Sequence, residues 1–305
     1  MELMRNTPET LFPDLANAIL HTAAYADVFD YPLTSIEIHR YLIRIRTTRE
    51  VVEQALQEGT LLSNTGGYYT LHGRESLVKI RNQRKSIADR LWPQAISYGR
   101  IIASLPFVRM VAVTGSLAMN NVEGDQDIDY LIVTAPGWLW LARALVLAVT
   151  RWAAMRGVRL CPNYMVTERA LAFPDQTIYT AHELAQMIPL FGMDVYERIC
   201  RLNRWKDRFL PNAGGLPPTM PHITGKYHLP GLKSTLETAL LLPPGAWLER
   251  WEMDRKIRQL GREQGKSLES CFAADYCKGH FHQHGKRTEQ ALRKRLSELH
   301  LEQLV

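Results

Sequence analysis

The chain has 305 residues, a mass of 34.9 kDa and a hydrophobic fraction of 46%, which suits one large core or two modest ones and excludes a disordered chain. A formal net charge of +6 and a pI near 9.1 favour anionic partners such as nucleotides or nucleic acid, though only weakly. Four cysteines, Cys161, Cys200, Cys271 and Cys277, are too sparse for a disulfide-stapled secreted fold, and no basic head leads into an apolar run with a cleavage site, so the expected compartment is the cytoplasm.

Residues 13–28 carry apolar side chains at helical spacing and predict a helix. Thr34 stands three residues before Glu37, and Thr47 three before Glu50; both are capping-box patterns that start further helices. Asn64-Thr65-Gly66-Gly67 then separates two short strand-like runs, which is hairpin chemistry. Three short helices followed by a hairpin predict a winged helix-turn-helix over residues 12–72. A connecting helix follows over 73–103, carrying Arg74, Lys79, Arg81, Arg84, Lys85 and Arg90, a basic face that either meets phosphates or is simply solvated.

From residue 104 strand and helix patterns alternate, "FVRMVAVT", "SLAMNN", "DIDYLIV", then residues 138–155, "VRLCPNYMVT" and "TAHELAQMI". This predicts a mixed α/β sheet domain with flanking helices over 104–192. Residues 137–155 approach the length of a membrane span, but Arg143 and Arg151 interrupt them, which predicts a helix buried on the sheet. Residues 193–305 read as a helical C-terminal region, interrupted by a Pro/Gly-rich connection near 211–231. Leucines 292, 296, 299 and 301 make its last helix amphipathic, suited to packing or to a partner helix.

The chemistry concentrates in "TGSLAMNNVEGDQDIDYLIVT", residues 114–134. Residues two apart on a strand share a face, so Asp127 and Asp129 converge on one point. Two such carboxylates repel unless a cation joins them, and Mg²⁺ (or Mn²⁺) binds through one or two carboxylates plus phosphates. Upstream, Gly115 lets the backbone approach a ligand, Ser116 adds a hydroxyl, and the strand-to-helix junction offers free amides to phosphate.

Gly-Ser, a spacer of about ten residues and Asp-x-Asp on a strand resemble the signature of the DNA polymerase beta-like nucleotidyltransferase superfamily, over about 90 residues. The resemblance implies that Gly115 and Ser116 bind the triphosphate of a nucleoside triphosphate. It also implies that Asp127 and Asp129 are catalytic and hold Mg²⁺, and that a nucleoside monophosphate passes to an acceptor hydroxyl on a small molecule, protein or RNA. The third carboxylate of that superfamily is replaced by Asn163, a neutral amide that can coordinate a metal but cannot act as a base; Glu168 and Glu183 are the alternatives. Arg143, and less so Arg151, could neutralise phosphate charge.

Two further readings stay open. A nucleotide-sensing regulator would use the winged helix on nucleic acid or a protein, with Arg44, Arg46 and Arg49 as contacts, yet Glu50, Glu53 and Glu58 make its recognition helix too acidic to favour nucleic acid. A plain interaction scaffold leaves the paired aspartates unexplained. Near the C-terminus Cys271, Cys277, His280, His282 and His284 are zinc ligand types in a spacing that fits no known zinc module.

Overall fold

The computed structural model describes residues 8–58, 61–124, 127–221, 230–263, 272–278 and 281–301. The chain is a mixture of helix and strand with two sheets. The N-terminal part runs α1 (Pro8–Asp27), β1 (Leu33–Thr34), α2 (Ser35–Arg40), α3 (Arg49–Gln57), β2 (Ser63–Thr65) and β3 (Tyr68–Thr70), with the strands ordered β1-β3-β2 and antiparallel. The predicted capping box forms at Thr34: its hydroxyl accepts from the Glu37 amide, and the Glu37 carboxylate accepts from the Thr34 amide at 2.9 Å. The second box does not form. Thr48, one residue later than expected, caps α3 without a side-chain bond to the helix amides, and the main chain of Thr47 is bonded elsewhere, its carbonyl to His39 and its amide to Asn212. Gly66 and Gly67 both have positive φ, the geometry of a two-residue hairpin turn, and Asn64 accepts from the Gly67 amide.

Helix α4 (Leu77–Ser104) follows. Its inward stripe holds Arg81 and Arg84 among Leu77, Val78, Ala88 and Trp92, so two members of the expected basic face point into the protein. Arg81 donates to Glu37 (2.9 Å) and to the Pro32 carbonyl and lies over the Tyr31 ring at 4.0 Å. The same Glu37 accepts from the Tyr31 hydroxyl at 2.6 Å, and the net effect of burial opposed by Arg81 is a carboxyl held below its usual range.

The second sheet contains β4 (Val108–Val113), β5 (Ile128–Thr134), β6 (Leu160–Thr167), β7 (Ile188–Phe191), β8 (Phe272–Ala273) and β9 (Tyr276–Lys278), in the order β7-β4-β5-β6-β9-β8. Only the β5/β6 pair is parallel, joined through α6 (Leu139–Ala154). Between β4 and β5 lies the short α5 (Gly115–Ala118); α7 (Ile178–Gln186) precedes β7, and α8 (Met193–Leu202) and a 3-10 turn (Arg204–Arg208) follow it. Strand β7 falls where a helix was expected to run through Ile188, and β8 and β9 fall in the region expected to be helical. The remaining helices are α9 (Pro230–Leu240), α10 (Pro243–Glu263) and α11 (Phe281–Glu298).

Alternation along β5 sorts the core into two layers. Ile128, Tyr130 and Ile132 pack with α4 and α6 on one face, while Leu131 and Val133 pack with α7 and α8 on the other. Helix α6 is buried against the first face through Leu139, Trp140 and Val146, and no helix of the described residues is long and apolar enough to cross a membrane. The N-terminal helices share a third cluster with Ala181, Ala185, Leu210 and Ala213, and Leu292, Leu296 and Leu299 of the terminal segment face this part of the protein. Arg295 of α11 pairs with Asp27 of α1 at 3.0 Å. The N-terminal helices therefore pack against α7, the segment after the 3-10 turn and α11.

Candidate active site

Asp129 lies between Ile128 and Tyr130, which face α4 and α6, so its carboxylate points to the α7 side, and Asp127 follows by the same period of two. Both line a cavity of about 670 Å³. Its floor is the N-terminal end of β5 and β6 with Gly115 and Ser116; one wall is α7, through Tyr179, His182, Glu183 and Gln186; the other is α1, through Thr22, Tyr25 and Ala26, with Phe29 of the turn after it. The α7 residues stand at i, i+3, i+4 and i+7 and those of α1 at i, i+3 and i+4, in each case one face of a helix. Tyr31 and Tyr41 extend the α1 wall, and His284 of α11 stands at the rim.

Glycine at 115 suits the backbone on two counts: its φ is +66°, and a Cβ there would lie 2.6 Å from Asp129 Oδ2, so the Asp129 carboxylate would have to shift. The main chain of the Gly-Ser junction therefore sits directly against the second aspartate. Asn163 reaches the cavity by a different device. The β5/β6 register slips between Asp129/Cys161 and Leu131/Tyr164, leaving Pro162 and Asn163 opposite Tyr130 alone. Proline lacks the amide a regular ladder needs, so it is accommodated in a bulge, and the bulge lets Asn163 line the cavity.

The electrostatics of the floor are those of crowded carboxyls. Burial and the nearby Asp127 push Asp129 up to about 6, although the Cys161 thiol donates to it. Burial and Asp129 together push Glu183 to about 7, and burial with the neighbouring Asp129 pushes the Cys161 thiol to about 12, which makes it a hydrogen-bond donor and not a nucleophile. His182 is pushed down to about 4 by burial; its Nδ1–H donates to the Ile178 carbonyl at 2.9 Å and its ring stacks on Tyr25 at 3.7 Å. At neutral pH it is an uncharged wall residue. Arg159, at the edge of the cavity, pairs its Nε with Asp127 Oδ1 at 3.0 Å.

The expected residues thus divide. Gly115, Ser116, Asp127, Asp129, Asn163 and Glu183 meet in one cavity. Glu168 does not: it follows the far end of β6, about 26 Å along the strands from Asp127 at 3.3 Å per residue, and is held by Arg198 at 2.6 Å. Arg143 is on the opposite face, because α6 covers the layer that the aspartates leave; its Nε donates to Cys277 at 3.1 Å and its guanidinium lies over Trp140. Arg151 is on the same helix. Neither is placed to touch a phosphate at the aspartates.

The donor set suits a hard divalent cation, since two carboxylates on one face, one of them half-buried and with a raised pKa, are relieved by positive charge. Among the described residues no group of three or more His, Cys, Asp or Glu stands ready to hold a metal, so protein ligands beyond the pair would be neutral oxygens such as Asn163. Of the C-terminal zinc candidates, Cys271 and His280 lie outside the described residues, and Cys277 is buried against Arg143. Sequence reading missed Arg159 and the aromatic wall of α1. A basic residue just before a strand carries no pattern of its own, and α1 reads only as an amphipathic helix until its partner surface is known. Comparison with known protein families, with curated proteins and with solved structures finds no match.

Proposed function

We propose that the chain is a Mg²⁺-dependent nucleotidyltransferase of the DNA polymerase beta-like type that moves a nucleoside monophosphate onto the hydroxyl of a small molecule. The observation that carries this reading is the meeting of Asp127, Asp129, the Gly115-Ser116 junction and Glu183 in one cavity. Mg²⁺ held by Asp127 and Asp129 would supply positive charge for the phosphates as pyrophosphate leaves. Ser116 donates its hydroxyl to the triphosphate, with the main-chain amides of the junction beside it. Helix α5 has four residues, so its dipole adds little.

Glu183 takes the part of the missing third carboxylate. It accepts the proton of the acceptor hydroxyl as that oxygen bonds to the α-phosphorus, while the bond from the α-phosphorus to the β-phosphate bridging oxygen breaks and pyrophosphate departs. A carboxyl near 7 is matched to such transfer at neutral pH, unlike one at its ordinary value. Asn163 beside it orients the acceptor or completes the metal's oxygen ligands.

The acceptor class follows from the walls. A volume of about 670 Å³ walled on two sides by helices α1 and α7 is in the range of small-molecule sites. The order α1-β1-α2-α3-β2-β3 with sheet β1-β3-β2 supports a winged helix-turn-helix whose role here is packing. Its α3 pairs Arg49 with its own Glu53 at 2.7 Å, leaving an acidic face.

The test is pyrophosphate release from each nucleoside triphosphate with Mg²⁺ and a panel of sugars, amino sugars and nucleosides. The reading expects release that depends on one acceptor class and disappears in Asp127→Asn/Asp129→Asn. Nucleotide binding without release from any acceptor would move the chain to the regulator reading.

A further inference from the structure

Among the described residues that line the cavity, Arg159 is the single lysine or arginine. Other arginines of the N-terminal half are fixed by several partners: Arg40 by three backbone carbonyls, Arg81 by Glu37 and Pro32, Arg84 by Phe29, Asn121 and Glu123. Arg159 differs. Its main chain is anchored beside the aspartate strand, where its carbonyl accepts from the Ile128 amide at 2.9 Å. Its side chain is 58% exposed and meets a carboxylate that is 49% exposed through one Nε–Oδ1 contact of 3.0 Å. Such a pair is weak and easily exchanged.

Resting on the nucleotidyltransferase reading, we propose that Arg159 is a partner-exchanging residue: it covers Asp127 in the resting protein and moves to the phosphates of a bound nucleoside triphosphate when Asp127 takes up a divalent cation. A guanidinium and a divalent cation compete for the same carboxylate oxygen, and their like charges favour separation once the cation is bound. The freed guanidinium has a planar fork suited to phosphate oxygens, and the short α5 leaves the triphosphate in need of a cation from elsewhere. The exchange weakens the hold of Asp127 on a lone cation a few-fold and ties release of Arg159 to arrival of the metal-bound nucleotide. It also predicts two effects of opposite sign from one substitution, which a merely structural ion pair would not give.

The experiment uses the full chain as wild type, Arg159→Gln and Arg159→Lys. Mn²⁺ alone is titrated by the electron-paramagnetic-resonance signal of the free ion, and Mn²⁺ with tripolyphosphate or with each of the four nucleoside triphosphates by calorimetry. The exchange expects Arg159→Gln to bind Mn²⁺ alone about two- to five-fold tighter and Mn²⁺-triphosphate about ten-fold weaker, with Arg159→Lys between the two and the melting temperature unchanged. Affinities that move in the same direction, or a triphosphate affinity that does not move, overturn it while leaving the nucleotide site standing. A wild type that binds Mn²⁺ but no triphosphate overturns the nucleotide reading and this proposal together.

Discussion

Replacing Glu183 by Gln removes a charge that the fold stabilises poorly, and the gain is readable as a function of pH. The carboxyl ordinarily titrates near 4.5 and is raised to about 7 by burial and by Asp129. Between those values the native state holds a proton that the unfolded chain has lost, so stability falls as pH rises through the window, and the full cost stands above 7. At about 1.4 kcal/mol per tenfold change in proton affinity, the cost approaches about 3 kcal/mol. Glutamine has the same shape and no charge. Part of that cost comes from Asp129, which titrates first, at about 6, and so is already charged when Glu183 ionises. Thermal melts of both proteins from pH 4.5 to 8.5 are the assay. Glu183→Gln should match wild type at the acid end and melt roughly 5 °C higher at pH 8. Parallel curves, or a less stable variant at pH 8, would refute the placement of Glu183 beside Asp129 in a poorly solvated site.

Gly115→Ala puts a Cβ 2.6 Å from Asp129 Oδ2 at a φ of +66°; it should cost about 1–3 kcal/mol in urea unfolding and abolish stabilisation by triphosphate. Arg81→Met leaves buried Glu37 charged without its guanidinium, an expected loss of about 3–5 kcal/mol, and adding Glu37→Gln should recover a good part of it in a double-mutant cycle. Asn163→Asp adds a third carboxylate to the cavity floor; it should lower the melting temperature at pH 8, and millimolar Mg²⁺ should restore it.

Local signals carried much of the architecture. The Thr34/Glu37 box, the Gly66-Gly67 turn and the apolar β5 each depend on neighbours in sequence, and each stands where its pattern put it. The second capping pattern does not form, and the main chain of Thr47 is bonded to His39 and Asn212, partners at distances that no local pattern encodes. Strands β7 and β9 are set by pairing with β4 and β6, so runs as short as "IPLF" and "YCK" gain their conformation from a sheet edge. Arg81 and Arg84 look like surface charge in a basic helix, yet both are buried, with partners from the turn before β1 and from the loop after α5. The aspartate pair was legible because a period of two fixes its face whatever else happens. Glu183 was legible only as one alternative among three, since α7 had to be laid against β5 before its face could be known.

The proposed function rests on Asp127 and Asp129, with the Gly115-Ser116 junction, forming a metal-dependent nucleotide site. Its most direct test is thermal unfolding with each of the four nucleoside triphosphates, with and without Mg²⁺, on wild type and on Asp127→Asn/Asp129→Asn. Ligand at a hundred times Kd should add about 2.7 kcal/mol to wild type, only with Mg²⁺ present, and nothing to the variant. A shift that is independent of Mg²⁺, one that survives in the variant, or no shift with any of the four would contradict the claim.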